Sequence, residues 1–251
     1  MYLHESGNKN KPTVVFLHGI GSSGRMWQKH FKVMSNDYYC LAPDLPGHGE
    51  SSLEKWSTIE QVGAEIAEII KQHGNGKAHI VGLSLGGIVS LYLLAKFPDL
   101  ILSAVIDGAS ATPIPGVFFI KAGACCIAPF LHTKFVIRGL SQMIHINDSE
   151  MENFTRDMRA TNRVSFIKAF MQANGKIMLD GIEQRNHKVL LLSGEHEKGV
   201  IASNVRLAKL MPQAKCVVIP NANHGWLAEM PDLHVRFVQA WLNGDPVPVV
   251  I

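Results

Sequence analysis

Short apolar runs rich in β-branched residues recur along the chain and predict strands. The runs are Thr13–Leu17, Tyr38–Ala42, Ala78–Val81, Ile101–Ile106, Lys188–Leu192 and Lys215–Ile219. Most of them are continuously apolar rather than alternating, which is typical of strands that are buried on both faces of a parallel sheet. Tyr2–Ser6 can add one further strand at the edge of that sheet.

Helical patterns lie between these runs, with apolar residues on one face and charged residues elsewhere. The patterns cover Ile59–Lys71, Leu85–Phe97, a segment from Ser203 as its N-cap to Leu210, and Pro231 to about Leu242. Pro98 and Pro212 follow two of these helices and limit their length. Strands that alternate with helices predict an α/β fold with an open, mostly parallel central sheet flanked by helices.

The alternation stops between residues 109 and 184, where no convincing strand pattern occurs. Helix-like pieces fill this stretch, at Val117–Cys126, Phe130–Met143, Glu150–Thr161 and Ser165–Ala173. We therefore expect a core of residues 1–108 and 185–251 and an inserted helical cap, or lid, of residues 109–184. The apolar cap side chains Phe118, Phe119 and Phe130 are candidates for lining a hydrophobic substrate pocket.

Composition narrows the function classes. The chain has 251 residues, of which 47% are hydrophobic, so one large domain with a sizeable core is the simplest expectation. The net charge of +3 comes without a basic block, and nothing suggests nucleic acid or an anionic membrane as partner. The apolar run from Val117 to Leu131 is short for a membrane span and contains Lys121 and Pro129.

The polar N-terminus and the cysteines favour a cytoplasmic protein without a metal. Met1–Pro12 is polar and lacks the apolar core of a signal peptide. Four cysteines occur, and their spacing is not that of metal ligands. A reducing setting, and therefore a cytoplasmic location, is the expectation that follows.

The strongest chemical signal is the pentapeptide Gly82-Leu83-Ser84-Leu85-Gly86, which lies between a predicted strand and a predicted helix. A Gly-x-Ser-x-Gly in this setting predicts a nucleophile elbow, a tight turn that lifts the serine hydroxyl clear of the sheet. The glycines lack a Cβ, so neighbouring backbone can approach closely. Ser84 is therefore the candidate nucleophile.

A serine hydroxyl needs a base, and the base needs a carboxylate. His224 follows the last predicted strand and precedes the last helix, so it returns to the sheet edge where Ser84 emerges. For the acid, Glu197 in the loop after Ser193 is the first choice and Asp107, at the end of the Ile101–Ile106 strand, is the second. Glu195 is a third, weaker choice.

Two backbone N–H groups are needed to hold a tetrahedral oxyanion. Leu85, directly after the candidate nucleophile, supplies one of them. The other is assigned to Ile20 in the loop His18-Gly19-Ile20-Gly21-Ser22, which follows the first long strand. His18 is expected to hold this loop rather than to do chemistry. Trp226, beside the base, is a candidate substrate contact.

Together these stretches resemble the α/β-hydrolase superfamily. The likeness rests on Phe16-Leu17-His18-Gly19, on Pro43-Asp44-Leu45-Pro46-Gly47-His48-Gly49, on Gly82-Leu83-Ser84-Leu85-Gly86-Gly87 and on Asn223-His224-Gly225. It is most specific to the small cofactor-free members, such as carboxylesterases, enol-lactonases and the pimeloyl-carrier methyl esterase. The resemblance implies an α/β-hydrolase fold with a helical cap and a catalytic triad of Ser84, Glu197 and His224. Relatives usually carry aspartate where Glu197 stands, which keeps Asp107 open as the acid.

The sequence thus predicts a serine hydrolase that cleaves carboxylic esters of small to medium, mostly apolar molecules through an acyl-enzyme on Ser84. It predicts no metal and no organic cofactor, and a small-molecule ester as the binding partner. Hydrolysis of a lactone, a thioester or a carbon–carbon bond, or a lyase reaction, remains open on the same triad. From another class, a protein that binds a small ligand with little turnover also remains open.

Overall fold

A computed structural model describes residues 1–113, 123, 126–175 and 179–250. The described residues form one seven-stranded sheet with the spatial order β1-β3-β2-β4-β5-β6-β7. Its strands are β1 (Leu3–Ser6), β2 (Thr13–Leu17), β3 (Tyr39–Pro43), β4 (Ala78–Leu83), β5 (Ile101–Asp107), β6 (Lys188–Gly194) and β7 (Ala214–Ile219). All neighbouring pairs are parallel except β1 with β3. The predicted mostly parallel sheet is therefore confirmed.

Helices connect the strands on both sides of the sheet. The α-helices are α1 (Gln28–Met34), α2 (Ile59–His73), α3 (Leu85–Lys96), α4 (Lys134–Met143), α5 (Met151–Ala160), α6 (Arg163–Ala173), α7 (Lys198–Leu210), α8 (Trp226–Glu229) and α9 (Pro231–Asn243). Short 3₁₀ helices occur at Gly24–Trp27, Gly49–Ser51, Pro98–Leu100, Ala128–Phe130, Asp148–Glu150 and Ile182–Gln184. Among the described residues, no helix has the length and apolar character needed to cross a membrane.

The core consists of two apolar clusters, one on each face of the sheet. Val15 and Leu17 of β2 belong to one cluster, whereas Val14 and Phe16 belong to the other. All four side chains are fully buried. Successive side chains of a strand point to opposite faces, so a strand covered on both faces must be apolar at every position. This is why the strand runs are continuous in the sequence.

One helix boundary in the sequence analysis was wrong. Helix α7 begins at Lys198, five residues before Ser203, so Ser203 is not its N-cap. Ser203 lies within the helix and is buried, and its Oγ accepts a hydrogen bond from Ala111 N at 2.8 Å. In the sequence alone, a serine whose hydroxyl is hydrogen-bonded to a distant backbone group cannot be distinguished from a serine that caps a helix. Most of the predicted Val117–Cys126 helix lies outside the described residues.

Helices α4, α5 and α6, here called the inserted helices, lie in the chain between the adjacent strands β5 and β6. They share a small apolar cluster formed by Leu131, Ile137, Met158 and Phe166. Hydrogen bonds join them to the core. Asn162 N donates to Gly47 O at 2.8 Å, and Trp56 N donates to Ser165 Oγ at 3.0 Å. The turn between α5 and α6 is thus fixed to the loop after β3.

Candidate active site

Ser84 occupies a strained turn between β4 and α3. Its backbone has φ +52° and ψ −111°, a conformation that residues with a side chain rarely adopt. The turn is possible because glycines flank it, since a Cβ on Gly86 would lie 2.2 Å from Leu17 O. A Cβ on Gly82 would lie 2.5 Å from Gly86 O. The tight strand–turn–helix geometry that the pentapeptide predicts is present.

The loop after β2 lies against this turn. A Cβ on Gly19 would lie 3.6 Å from the Cβ of Ser84, and Gly86 N donates to His18 O at 3.1 Å. Leu45 N donates to His18 Nε2 at 2.9 Å, so the ring proton is on Nδ1, 2.8 Å from Gly19 O. Burial lowers the pKa of His18, which fits a neutral imidazole with this pair of bonds. His18 thus holds the loop.

Two backbone N–H groups, one directly after Ser84 and one in the loop that packs against its turn, have no acceptor among the described residues. Leu85 is the first residue of α3, and the N–H groups of a first helical turn have no partner within the helix. Leu85 N and Ile20 N donate no hydrogen bond within the described part of the chain. An N–H at a helix start attracts negative charge. Both groups are therefore available for an oxyanion.

His224 is paired with Glu197. Its Nδ1 lies 2.7 Å from Glu197 Oε1, and Oε2 of the same carboxylate accepts a hydrogen bond from Gly194 N at 2.8 Å. The Glu197 side chain is 8% exposed and that of His224 is 33% exposed. Because the carboxylate accepts at Nδ1, the ring proton belongs there and Nε2 carries the lone pair. The structure brings the first-choice acid and the candidate base together.

The segment Asp107-Gly108 connects this pair to Ser84. Ser84 N donates to Asp107 O at 2.8 Å. The next residue, Gly108, has φ +61°, and a Cβ there would lie 2.8 Å from His224 Cε1 and 3.6 Å from Glu197 Oε1. Among the described residues, no hydrogen bond joins Ser84 Oγ to His224. Sequence reasoning missed Gly108, although a glycine at the end of a central strand was a usable signal.

The pKa of His224 is raised above its ordinary value of 6.5. Burial acts to lower it, but the hydrogen bond and the charge of Glu197, helped by the charge of Asp107, outweigh that effect. A base with a raised pKa takes up a proton more readily. The pair is therefore suited to receive a proton from a hydroxyl.

Asp107, the second-choice acid, has a different environment. Its side chain is 2% exposed, and Oδ1 accepts a hydrogen bond from Trp226 Nε1 at 3.1 Å. Oδ2 lies 3.8 Å from His234 Nε2, which is too far for a hydrogen bond. Burial, with a contribution from the charge of Glu197, raises the pKa of Asp107 to about 7. Asp107 faces the buried side of the site rather than the Nδ1 of His224.

The predicted substrate contacts differ in their location and in their exposure to solvent. Trp226 is fully buried in the core, and its indole N–H donates to Asp107, so its role as a substrate contact stays a prediction. Phe130 lies in the 3₁₀ turn at Ala128–Phe130 and is 59% exposed. Phe118 and Phe119 lie outside the described residues. A cavity of about 200 Å³ lies between the core and the inserted helices, with Ser22, Asp157 and Leu227 among its lining residues.

Comparisons with known proteins agree with this architecture. A family model described as the alpha/beta hydrolase fold matches residues 12–121. Protein ABHD8 of Homo sapiens is 25% identical over 248 residues, which cover 93% of this chain and 55% of that protein, so the chain spans about half the length of this relative. (E)-2-((N-methylformamido)methylene)succinate hydrolase of Acinetobacter baylyi is 23% identical over 243 residues, or 93% of this chain and 91% of that protein. A solved thermophilic esterase from Thermogutta terrifontis has a TM-score of 0.81 at 20% identity, covering 97% of this chain and 93% of that one.

Proposed function

The chain belongs to the α/β-hydrolase superfamily, and on that premise we propose that it is a serine hydrolase that cleaves carboxylic esters. The observation that carries the proposal is the 2.7 Å contact between His224 Nδ1 and Glu197 Oε1 at the edge of the sheet where Ser84 opens α3. Superfamily members share a fold but not a reaction, so the argument for the reaction rests on these side chains.

The first half of the reaction forms an acyl-enzyme. Ser84 Oγ attacks the ester carbonyl carbon while His224 Nε2 takes the hydroxyl proton. Glu197 holds the ring by Nδ1 and stabilises the imidazolium. The imidazolium then gives its proton to the leaving alcohol as the carbon–oxygen bond breaks. A substrate carbonyl in the site draws hydroxyl and imidazole together, since catalytic hydrogen bonds often tighten only when substrate is bound.

The negative oxygen of the tetrahedral intermediate is held by two N–H groups. Leu85 N and Ile20 N are proposed for this task because neither has another acceptor among the described residues. Donors that are fixed before the reaction stabilise developing charge without reorganising during it. The second half repeats the same steps with water as nucleophile, activated by His224, and releases the acid.

A mostly apolar substrate suits the surroundings of the site. The side chain of Ile20 packs against the core and against the cluster of the inserted helices. The domain division proposed from the sequence, with residues 109–184 as a cap over the site, fits this contact. A panel of p-nitrophenyl esters of increasing acyl length, with a lactone and a thioester of matched size, ranks the ester reaction against its alternatives.

Replacing the nucleophile tests the proposal directly. We expect Ser84→Ala to lower kcat for a short p-nitrophenyl ester on the order of 10⁴–10⁶-fold, because only binding and the oxyanion donors remain. Ser149→Ala, at an exposed position in the 3₁₀ turn Asp148–Glu150, is the matched control and should keep full activity. Equal rates for the native chain and Ser84→Ala would reject the proposal. Binding of the ester without turnover by the native chain would favour a ligand-binding role.

A further inference from the structure

The loop that carries Ile20 is held at its far end by a buried carboxylate from the inserted helix α5. Ser23 Oγ donates a hydrogen bond to Asp157 Oδ2 at 2.7 Å, across a sequence separation of 134 residues. Ser23 is fully buried and Asp157 is 4% exposed. The loop is therefore anchored on both sides of Ile20, by the His18 ring before it and by Ser23 after it.

An apolar contact beside this bond presses α5 onto the same loop. Met158, the neighbour of Asp157, is 1% exposed, and a Cβ on Gly21 would lie 2.3 Å from its sulfur. Gly21 has φ +73°, a conformation that favours glycine. Ile20 packs against the cluster to which Met158 belongs. The loop is thus enclosed by α5 on one side and by the turn at Ser84 on the other.

Attaching a helix through a buried carboxylate costs free energy, because the carboxylate loses its contact with water. Asp157 has two side-chain partners among the described residues, Ser23 Oγ and the half-exposed Arg156, whose Nε lies 3.2 Å from Oδ1. An apolar pair of the same size would avoid the cost of removing a charge from water. A hydroxyl-to-carboxylate bond adds something that an apolar pair lacks, since it is short and fixes a direction and a distance.

We propose that Asp157 is a positioning residue that, through Ser23, sets the place of the Ile20 N–H in the oxyanion hole. The inference rests on the proposed function, because the hole has a task only if Ser84 forms a tetrahedral intermediate. The loop needs this restraint, since glycines flank Ile20 and allow it many backbone conformations. Docking of α5 thereby completes the site, and the insertion contributes to the chemical step as well as to substrate access.

The test uses the full chain and compares Asp157→Ala, Asp157→Asn and Ser23→Ala. We expect Asp157→Ala and Ser23→Ala to lower kcat on the order of 10-fold or more, with KM within about 2-fold, because a displaced oxyanion donor affects the transition state and not substrate binding. Asp157→Asn should recover most of kcat, because the amide oxygen still accepts the Ser23 hydroxyl. The double variant S23A/D157A should be no slower than the slower single variant, because both remove one contact.

A second readout separates positioning from general loss of folded protein. A trifluoromethyl ketone adds to the serine as a negatively charged hemiketal, so its inhibition constant should rise by the same factor by which kcat falls. Partial unfolding lowers the measured kcat without changing that constant. Glu152→Gln removes a charge from the exposed face of the same helix and should change neither quantity.

The outcomes are distinguishable. An Asp157→Ala variant with kcat and inhibition constant within about 2-fold of the native chain overturns the inference and leaves the proposed function intact. A fall in kcat with an unchanged inhibition constant, or additive losses in the double variant, overturns it as well. If Ser84→Ala is as active as the native chain, the proposed function itself fails.

Discussion

Two carboxylates lie near His224, and their surroundings assign them different tasks. Glu197 accepts hydrogen bonds from His224 Nδ1 and Gly194 N, so one of its oxygens is directly paired with the base and the other is fixed by the backbone. Asp107 is buried against Trp226 and has a pKa raised to about 7, so near neutral pH much of it is protonated. A carboxylate that stabilises an imidazolium must be ionised. We therefore propose Glu197 as the acid of the triad.

The matched pair Glu197→Gln and Asp107→Asn tests that assignment. Glu197→Gln should lower kcat on the order of 10³–10⁴-fold, because an amide neither stabilises the imidazolium nor enforces the tautomer. Asp107→Asn should cost less than about 10-fold, since its amide oxygen can still accept from Trp226 Nε1. Ester hydrolysis by the purified variants measures both. Collapse of activity in Asp107→Asn alone would make Asp107 the acid.

The pH profile of the same variants supplies a second readout. His224 must be neutral to act as a base, so kcat/KM should fall as the pH drops through its raised pKa. Removing the charge of Glu197 removes the main cause of that rise. The acid limb of the residual activity of Glu197→Gln should therefore move to lower pH, whereas an unmoved limb contradicts the pairing.

At the scale of elements, every proposed catalytic group follows the carboxyl end of a strand. Ile20 follows β2, Ser84 follows β4, Glu197 follows β6 and His224 follows β7. Parallel strands bring these ends to one edge, so strand patterns with a motif in each following loop were enough to predict the grouping. The burial of Trp226 could not be predicted in this way, because nearness to His224 in sequence does not tell which face of a one-turn helix is buried.

The contacts of distant segments had no sequence signal. The bond from Ser23 to Asp157 joins residues 134 positions apart, and neither residue belongs to a motif. The buried side chains Asp107, His234 and His30 follow one another in space, and His30 Nε2 lies 2.8 Å from His234 Nδ1. Their arrangement likewise depends on packing between β5, α1 and α9. Such pairs follow from the tertiary arrangement, which local patterns do not encode.

Two glycine variants test whether α3 and β2 pack as closely as described. Gly86→Ala should lower both stability and activity, because its Cβ would meet Leu17 O at 2.2 Å and push α3 away from β2. Gly139→Ala is the control, since no atom lies within 4 Å of a Cβ there, in the middle of α4. It should raise the melting temperature slightly, as alanine favours a helix by about 0.5–1 kcal/mol. Equal melting temperatures for the two variants would contradict the packing described.

At the scale of the whole molecule, one face of the sheet carries buried polar side chains close to the site. On the face formed with α1 and α9, Asp107, His234 and His30 are buried among apolar side chains. Burial lowers the pKa of His30 to about 3 and also lowers that of His234, which lies beside His30. These histidines are therefore neutral in the folded protein, and Asp107 has no cation from them to stabilise its charge.

This predicts a pH-dependent stability that Asp107 controls. Its pKa rises from an ordinary 3.8 to about 7 on folding, so the folded state binds the proton more tightly than the unfolded chain. That contribution is complete below the ordinary pKa and is lost as the pH rises through about 7. Because the pKa of Asp107 is about 7 in the folded protein, the melting temperature of the native chain should fall between pH 5 and pH 8 more steeply than that of Asp107→Asn. Parallel curves would show that Asp107 titrates normally.

The central claim is that Ser84 is a nucleophile activated by the fold, and covalent labelling tests it most directly. The native chain should react with a fluorophosphonate probe, and peptide mapping by mass spectrometry should place the adduct on Ser84. Labelling should disappear in Ser84→Ala and slow strongly in His224→Ala, because no base then takes the hydroxyl proton. An unlabelled native chain, or an adduct that maps to another residue, would contradict the account.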